Sequence, residues 1–333
     1  LRDVFNRVHP EPVDEEQERL FERFMRGDLD DYPDVEPLPS PNTWETVISE
    51  RGNTQAAWEL LIEDEEYSLP IFASIRNLRN MLEAGVDEET IVDHLSLEAV
   101  EYAPLYPFRY YQAYKALQDA GLDAPAVERW LEDAIDVSVA QVPDGLGDTF
   151  VAVDLSGSMD SQLSAESTLR LKEIGSLFGA VLADQGARVG GFGDDFQEVR
   201  MHVDAPVLQR QDALLGIDEE VGHSTNGWKA LRHLRESGDA VDRVVVFTDM
   251  QLWDSTWQSE RTVREEFDRY REAVNPDVSL YLIDLASYGD LVTPEGYEDV
   301  YNVSGWSENV LEFIEHAEAP LQVLNEIEAF DPR

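Results

Sequence analysis

The chain has 333 residues, with 70 acidic side chains against 25 basic ones and a formal net charge of −45. Hydrophobic residues make up 43% of it, enough for a sizeable core, which excludes disorder as a class despite the charge. Cysteine is absent, which removes disulfides, thiolate metal sites and cysteine nucleophiles together.

The length predicts two domains. The longest apolar stretch, Ile174 to Ala183, is too short to span a bilayer. No basic and apolar leader opens the sequence, so a cytoplasmic protein is expected, and Leu1 in place of Met predicts a trimmed piece of a longer one. The acidity is uniform: residues 1–140 carry 32 acids and 11 bases, and residues 141–333 carry 38 and 14. The only lysines are Lys115, Lys172 and Lys229. A lysine-poor acidic coat keeps a protein hydrated in molar salt, where a Debye length of about 3 Å screens self-repulsion. That predicts a halophile's protein; the alternative is an acidic protein of an ordinary cell.

Residues 1–142 read as a helical-repeat domain, an α-solenoid fragment. Leu20, Phe21 and Phe24 give one apolar stripe, and Trp44, Val47 and Ile48 begin another behind an Asn42-Thr43 cap. Further stripes run through Trp58, Leu61 and Ile62, and through Ile75, Leu78 and Leu82. After a Val142-Pro-Asp-Gly-Leu-Gly147 linker, residues 147–333 alternate strands with helices. Strands are expected at Phe150–Asp154, 187–192, 197–203, Arg243–Asp249, Ser279–Asp284 and Asp299–Val303. Helices are expected up to Asp184 and at about 227–237, 258–273 and 307–317. The pattern predicts a parallel, doubly wound α/β (Rossmann-like) sheet.

Chemistry concentrates in Asp154-Leu-Ser156-Gly-Ser158. An Asp ends a buried strand and two hydroxyls follow, placing three oxygens on one loop at the sheet edge where ligands bind in such folds. The strand at 243–249 ends there too, in Thr248-Asp249, and a loop before a helix supplies Gly222-His-Ser-Thr225. Two carboxylates and three hydroxyls make a hard, all-oxygen donor set suited to Mg²⁺. The competing reading of Asp154–Ser158 is a capping box for the next helix. The six histidines show no zinc-ligand spacing, and no phosphate-binding glycine loop is present.

These residues resemble the metal-ion-dependent adhesion site of von Willebrand factor A domains, with the likeness covering residues 147–333. The resemblance implies that Ser156, Ser158 and Thr225 face the metal directly, with Ser224 the alternative loop ligand, and that Asp154 and Asp249 act directly or through water. The helical half resembles the TROVE module of the Ro ribonucleoprotein family. The likeness rests on Leu1-Arg2-Asp3-Val4, His9-Pro10, Thr43-Trp44-Glu45, Gly52-Asn53, Trp58, Leu69-Pro70, the run Arg76-Asn-Leu-Arg-Asn-Met-Leu82, Tyr106-Pro-Phe-Arg109 and Ala113-Tyr114. That family implies a helical ring closed by a von Willebrand A domain, binding of small structured RNA on the outside and of misfolded or single-stranded RNA through the ring, and a role in RNA quality control. Its members carry more repeats before the region matching Leu1, so the ring is expected to be open here.

A −45 chain is a poor electrostatic match for nucleic acid. Yet residues 67–82, 102–118 and 221–235 lack acids. They hold Arg76, Arg79, Arg109, Tyr110, Lys115, Lys229 and Arg232, and arginine beside aromatic faces is the composition that stacks unpaired bases. The competing reading is burial: Phe108, Tyr111 and Tyr114 sit at helical spacing for core packing, and Arg76, Arg79, Lys229 and Arg232 have carboxylates within reach of neighbouring helices. Two functions follow. One is a non-catalytic Ro-type protein that binds small non-coding RNA, with Mg²⁺ as a docking point for a phosphate or for a carboxylate of an exoribonuclease or another protein. The other is a protein-interaction module that presents the metal to a partner's carboxylate without RNA. A metal-dependent hydrolase lacks a general base that is not itself a ligand.

Overall fold

The computed structural model describes residues 43–64, 69–143, 148–164, 167–202, 204–250, 262–287, 299–305, 307 and 309–318. The stripe at Leu20, Phe21 and Phe24 and the Ro-like residues at positions 1–10 lie outside them.

Seven helices occupy the described part of the first half: α1 (Trp44–Arg51), α2 (Gln55–Glu63), α3 (Ile71–Glu83), α4 (Glu88–His94), α5 (Leu97–Tyr102), α6 (Pro107–Ala120) and α7 (Pro125–Ser138). Thr43 caps α1 as expected, its hydroxyl accepting the Thr46 N–H. Pro107 opens α6, where a missing N–H costs nothing, and Gly121 closes it in the left-handed conformation with φ +64°. The helices stack as packed pairs: α1 on α2, α6 between α3 and α7, with α4 and α5 against α7. Trp58, Leu61, Ile75 and Leu78 are buried in this stack, as their spacing predicts.

The second half forms a six-stranded sheet from β1 (Thr149–Asp154), β2 (Arg188–Phe192), β3 (Phe196–Val199), β4 (Arg243–Thr248), β5 (Ser279–Asp284) and β6 (Val300–Ser304), in the order β3-β2-β1-β4-β5-β6. All neighbours are parallel except β2 and β3, so the expected parallel, doubly wound sheet carries one antiparallel edge strand. The reason is local. Three residues join β2 to β3, and a parallel crossover needs about a dozen.

Every residue of β1 and β4 is buried, and their side chains alternate between two cores. Phe150, Ala152, Val244 and Val246 face α11 (Trp228–Ser237) and α12 (Val263–Ala273). Val151, Val153, Val245 and Phe247 face α8 (Leu171–Asp184). Helix α8 is buried almost all round, from Ile174 to Leu182. A Cβ on Gly175 would sit 3.2 Å from Val153 Cγ1, and one on Gly179 3.0 Å from Val189 Cγ1, so these glycines let α8 lie close on the sheet. Its far side receives the helical half: the Phe108 ring lies 4.2 Å from that of Phe178, which stacks on Phe247 at 4.7 Å. The helical stack and the α8 side of the sheet therefore share one continuous core. Polar contacts reinforce the join. Lys115 pairs with Glu173 at 3.0 Å, Asp136 accepts the N–H of Val207, the first residue of α9 (Val207–Leu215), at 2.7 Å, and Tyr106 donates to Glu312 on α13 (Val310–Glu318). Among the described residues no helix is long and apolar enough to cross a membrane.

Candidate metal centre and nucleic-acid interface

Strands β1 and β4 are parallel neighbours, with Val153 opposite Phe247, so they end side by side at the same edge. Asp154 is fully buried there, and Asp249 nearly so. Oδ1 of Asp154 accepts the Ser156 N–H at 2.9 Å, and Oδ2 accepts the Thr248 hydroxyl at 2.7 Å. Burial above all, with the nearby Asp249 carboxylate, raises the Asp154 carboxyl to about 7, against the hydrogen bonds from Ser156 and Thr248 that lower it. After Asp249 the chain turns through Met250 at φ +59°, a conformation a non-glycine residue rarely adopts. Such strain concentrates where a side chain must be aimed.

The loop 155–160 leaves β1 and runs into a short turn of 3₁₀ helix, Gly157–Asp160. Ser156 Oγ and Ser158 Oγ lie 3.2 Å apart. Ser156 is buried and Ser158 half-buried. The third loop follows α10 (Asp218–Val221) and holds residues 222–227. The His223 carbonyl accepts the Gly157 N–H at 3.0 Å, which fixes this loop against the first. Its other side is anchored on the turn after β2: Asn226 N–H donates to Gly193 O at 3.0 Å, and His223 N–H to the Asp194 carboxylate at 3.3 Å. A Cβ on Gly193 would stand 1.8 Å from the Gly222 carbonyl oxygen, so only glycine permits this approach. Thr225 sits half-buried in this loop, while Ser224 is exposed.

This donor set can be tested against Mg²⁺. Adjacent ligands of an octahedral ion bound at about 2.1 Å lie about 3 Å apart, close to the Ser156–Ser158 separation. All the donors are oxygens, and two of them belong to buried carboxylates close enough to repel. A hard divalent cation would relieve that repulsion. Among the described residues no cluster of three His, Cys, Asp or Glu side chains forms a conventional metal cage. The Ser156–Ser158 pair has a spacing such an ion takes, the buried Asp154 and Asp249 carboxylates have the donor chemistry, and the 222–227 loop offers a further hydroxyl. Thr248, which orients Asp154, was missed among the candidate residues; its place beside Asp249 at the strand end was the available signal. Asp194, which anchors the Thr225 loop, carried no sequence signal.

The expected RNA-contacting residues divide into three groups. Arg76 and Arg79 on α3 and Arg109 on α6 line one groove, with the Arg76 and Arg109 guanidinium groups 5.6 and 5.8 Å from the Phe72 ring. Phe72 was missed, although it precedes Arg76 by one helical turn. Tyr110 is corrected: it is fully buried, its ring edge-on to Trp130 at 6.0 Å, so it presents no face to a ligand. The aromatic run on α6 mixes core and surface because successive residues point about 100° apart. Lys115, Lys229 and Arg232 are engaged within the chain. Lys115 pairs with Glu173, Lys229 with Asp195 at 3.2 Å, and Arg232 lies over the Trp228 ring at 4.9 Å.

Comparison with known proteins gives three results. The TROVE domain family matches residues 36–130, and the Ro60 von Willebrand A domain family matches residues 149–317. The Ro (Rsr) protein of Deinococcus radiodurans has a similar fold, with TM-score 0.66 at 18% identity over 95% of this chain and 70% of that one. Telomerase protein component 1 of Rattus norvegicus is 37% identical over 84 residues, and that of Mus musculus 36%. Each of these matches covers 24% of this chain but only 3% of the curated relative's length.

Proposed function

This chain belongs to the Ro60 family, a TROVE domain followed by a Ro60 von Willebrand A domain, and from that membership we propose that it is a non-catalytic RNA-binding protein of the Ro type. The observation that carries the reading is the arginine groove. Arg76, Arg79 and Arg109, from two neighbouring helices, collect on one open face of a chain whose net charge is −45. The ligand is a small non-coding RNA held on the helical half, in the cytoplasm of a cell with molar internal salt. In such salt counterion release contributes little, and stacking with directed hydrogen bonds supplies the affinity.

The von Willebrand half is the docking site. Asp154, Ser156, Ser158, Thr225 and Asp249 would hold Mg²⁺, which supplies a hard Lewis-acid position for a phosphate oxygen or for the carboxylate of a partner such as an exoribonuclease. The protein's own part is to fix the donors. Thr248 and the Ser156 N–H orient Asp154, and the Gly193–Asp195 turn holds the Thr225 loop against Gly157.

A second reading, a metal-presenting protein-interaction module without RNA, is favoured by the ion pairs that already engage Lys115 and Lys229. The two separate in a high-salt lysate. Small RNA should copurify with the wild-type chain and be lost from an Arg76→Ala, Arg109→Ala double variant. If nuclease-treated and untreated preparations are indistinguishable, the second reading replaces the first.

A further inference from the structure

The chain keeps only three lysines among its 25 basic residues, and all three hold elements around the sheet-edge loops. Lys172, in the first turn of α8, has a side chain only 14% exposed. Its ammonium meets Asp160 at 2.7 Å and Asp218 at 2.6 Å. Asp160 ends the 3₁₀ turn that carries Ser158, and Asp218 opens α10, which leads into the 222–227 loop. One side chain therefore ties the first loop to the third. Its neighbour Glu173 takes Lys115 from the helical half at 3.0 Å. Lys229, in the first turn of α11, donates to the Asp194 carbonyl and pairs with Asp195 at 3.2 Å, on the turn that anchors the third loop from its other side.

Lys172 differs from the exposed ion pairs of the surface. Burial works against its charge, yet the bonds it donates to Asp160 and Asp218 hold it above its ordinary value of 10.5, so the ammonium stays charged. An ammonium is a compact point charge with three donors, which suits it to two carboxylates on different segments. Arg170 also meets Asp160, at 2.8 Å, with its side chain about half exposed. Lys172 has two opposed effects on a cation held by the loops. Its charge repels the ion, and its bonds fix the spacing of the loop hydroxyls. In molar salt the Debye length is about 3 Å, so the repulsion is screened and the bonds decide.

We propose that Lys172 is a positioning residue of the sheet-edge site: by bridging Asp160 and Asp218 it sets the spacing of the first and third loops, and with it their affinity for a divalent cation. The inference deepens the metal-docking reading and rests on it. Lys172 itself is no ligand.

The full chain is titrated with Mn²⁺ in molar KCl, and the free ion is followed by electron paramagnetic resonance. Wild type, Lys172→Met, Lys172→Arg, Asp218→Asn and Asp154→Ala are compared, with metal-free thermal unfolding as the check that each is folded. Losing a residue that supports metal ligands weakens binding by roughly 10–100-fold, and Lys172 acts on the loops rather than on a ligand, so Lys172→Met should weaken it about 10-fold. Asp218→Asn cuts the same bridge from the other loop and should weaken binding similarly, which keeps the test open if the Met variant does not fold. Lys172→Arg keeps the charge and reaches for both carboxylates, so it should recover most of the affinity; an Arg variant as weak as Met overturns the bridge as the cause. A lower melting temperature with unchanged Mn²⁺ affinity in the Met and Asn variants makes Lys172 an ordinary ion pair and overturns the proposal. Tighter binding in the Met variant overturns it as well, since the lysine would then act only as a like charge beside the ion. In both of these cases the metal reading stands. If the wild type binds Mn²⁺ no better than Asp154→Ala, the metal reading falls and the proposal with it.

Discussion

Thr248 donates a 2.7 Å hydrogen bond from its hydroxyl to Oδ2 of Asp154, so the last residue of one central strand fixes the last residue of its neighbour. The same hydroxyl accepts the Met250 N–H at 3.2 Å, which ties the strained turn after Asp249 to the site. Replacing Thr248 with Val keeps the shape and removes both bonds. The loss should cost about 1–3 kcal/mol, the range for stranding a buried polar partner. Urea unfolding in molar KCl measures it, and Thr248→Ser should recover most of it. A fully stable Val variant would show that the bond contributes nothing.

Mg²⁺ should raise the melting temperature of the wild-type chain, because a ligand that binds only the native state stabilises by about 2.7 kcal/mol at a hundred times its dissociation constant. Asp154→Ala should abolish the rise, since it removes a central oxygen donor or its water-mediated substitute. A thermal-shift series in Mg²⁺ at constant ionic strength separates this effect from general salt stabilisation. Equal shifts in the two proteins would sink the metal assignment.

Arg188 grips Glu198 through both of its carboxylate oxygens, at 2.9 and 2.6 Å, and joins β2 to the edge strand β3. The Arg188 guanidinium holds the Glu198 carboxyl below its ordinary value of 4.5. A depressed carboxyl stabilises the fold above its unfolded pKa, and the contribution disappears as pH falls through the folded value. Glu198→Gln should therefore cost about 1 kcal/mol near neutral pH, and the gap from wild type should close once the pH falls well below 4.5. Denaturant midpoints across that window test the sign.

Phe108 seats the helical half on α8 beside Phe178. Truncation to Ala should cost about 3–5 kcal/mol, the range for a buried aromatic. Because the core is continuous across the join, the wild-type chain should unfold in one transition followed equally by helical and near-ultraviolet signals. Two separate transitions in the wild type would mean that the halves are energetically independent.

The cluster of oxygens at the sheet edge was legible to the level of residue type. A strand ending in Asp, followed by hydroxyls at spacing two and four, can point its oxygens in few directions, and the Thr248-Asp249 pair marked the partner strand. What pins the third loop was not legible: Asp194 and Gly193 act through a backbone approach that no side-chain pattern announces. On the helical half, acid-free windows were visible in sequence but burial was not. Tyr110 and Arg109 are adjacent in the chain, yet one lies in the core and the other on the groove.

Local rules therefore settled what each segment becomes. Continuous apolar runs made buried strands, period-3.6 stripes made helices, and carboxylates stood at the strand ends. Only the tertiary structure decided which charges come together. Lys115 and Lys229 met Glu173 and Asp195 from elements distant in the chain, while Arg76, Arg79 and Arg109 met one another around Phe72. The physical reason is that an ion pair depends on distance in space. Packing two helices together sets that distance, and neither helix encodes it alone.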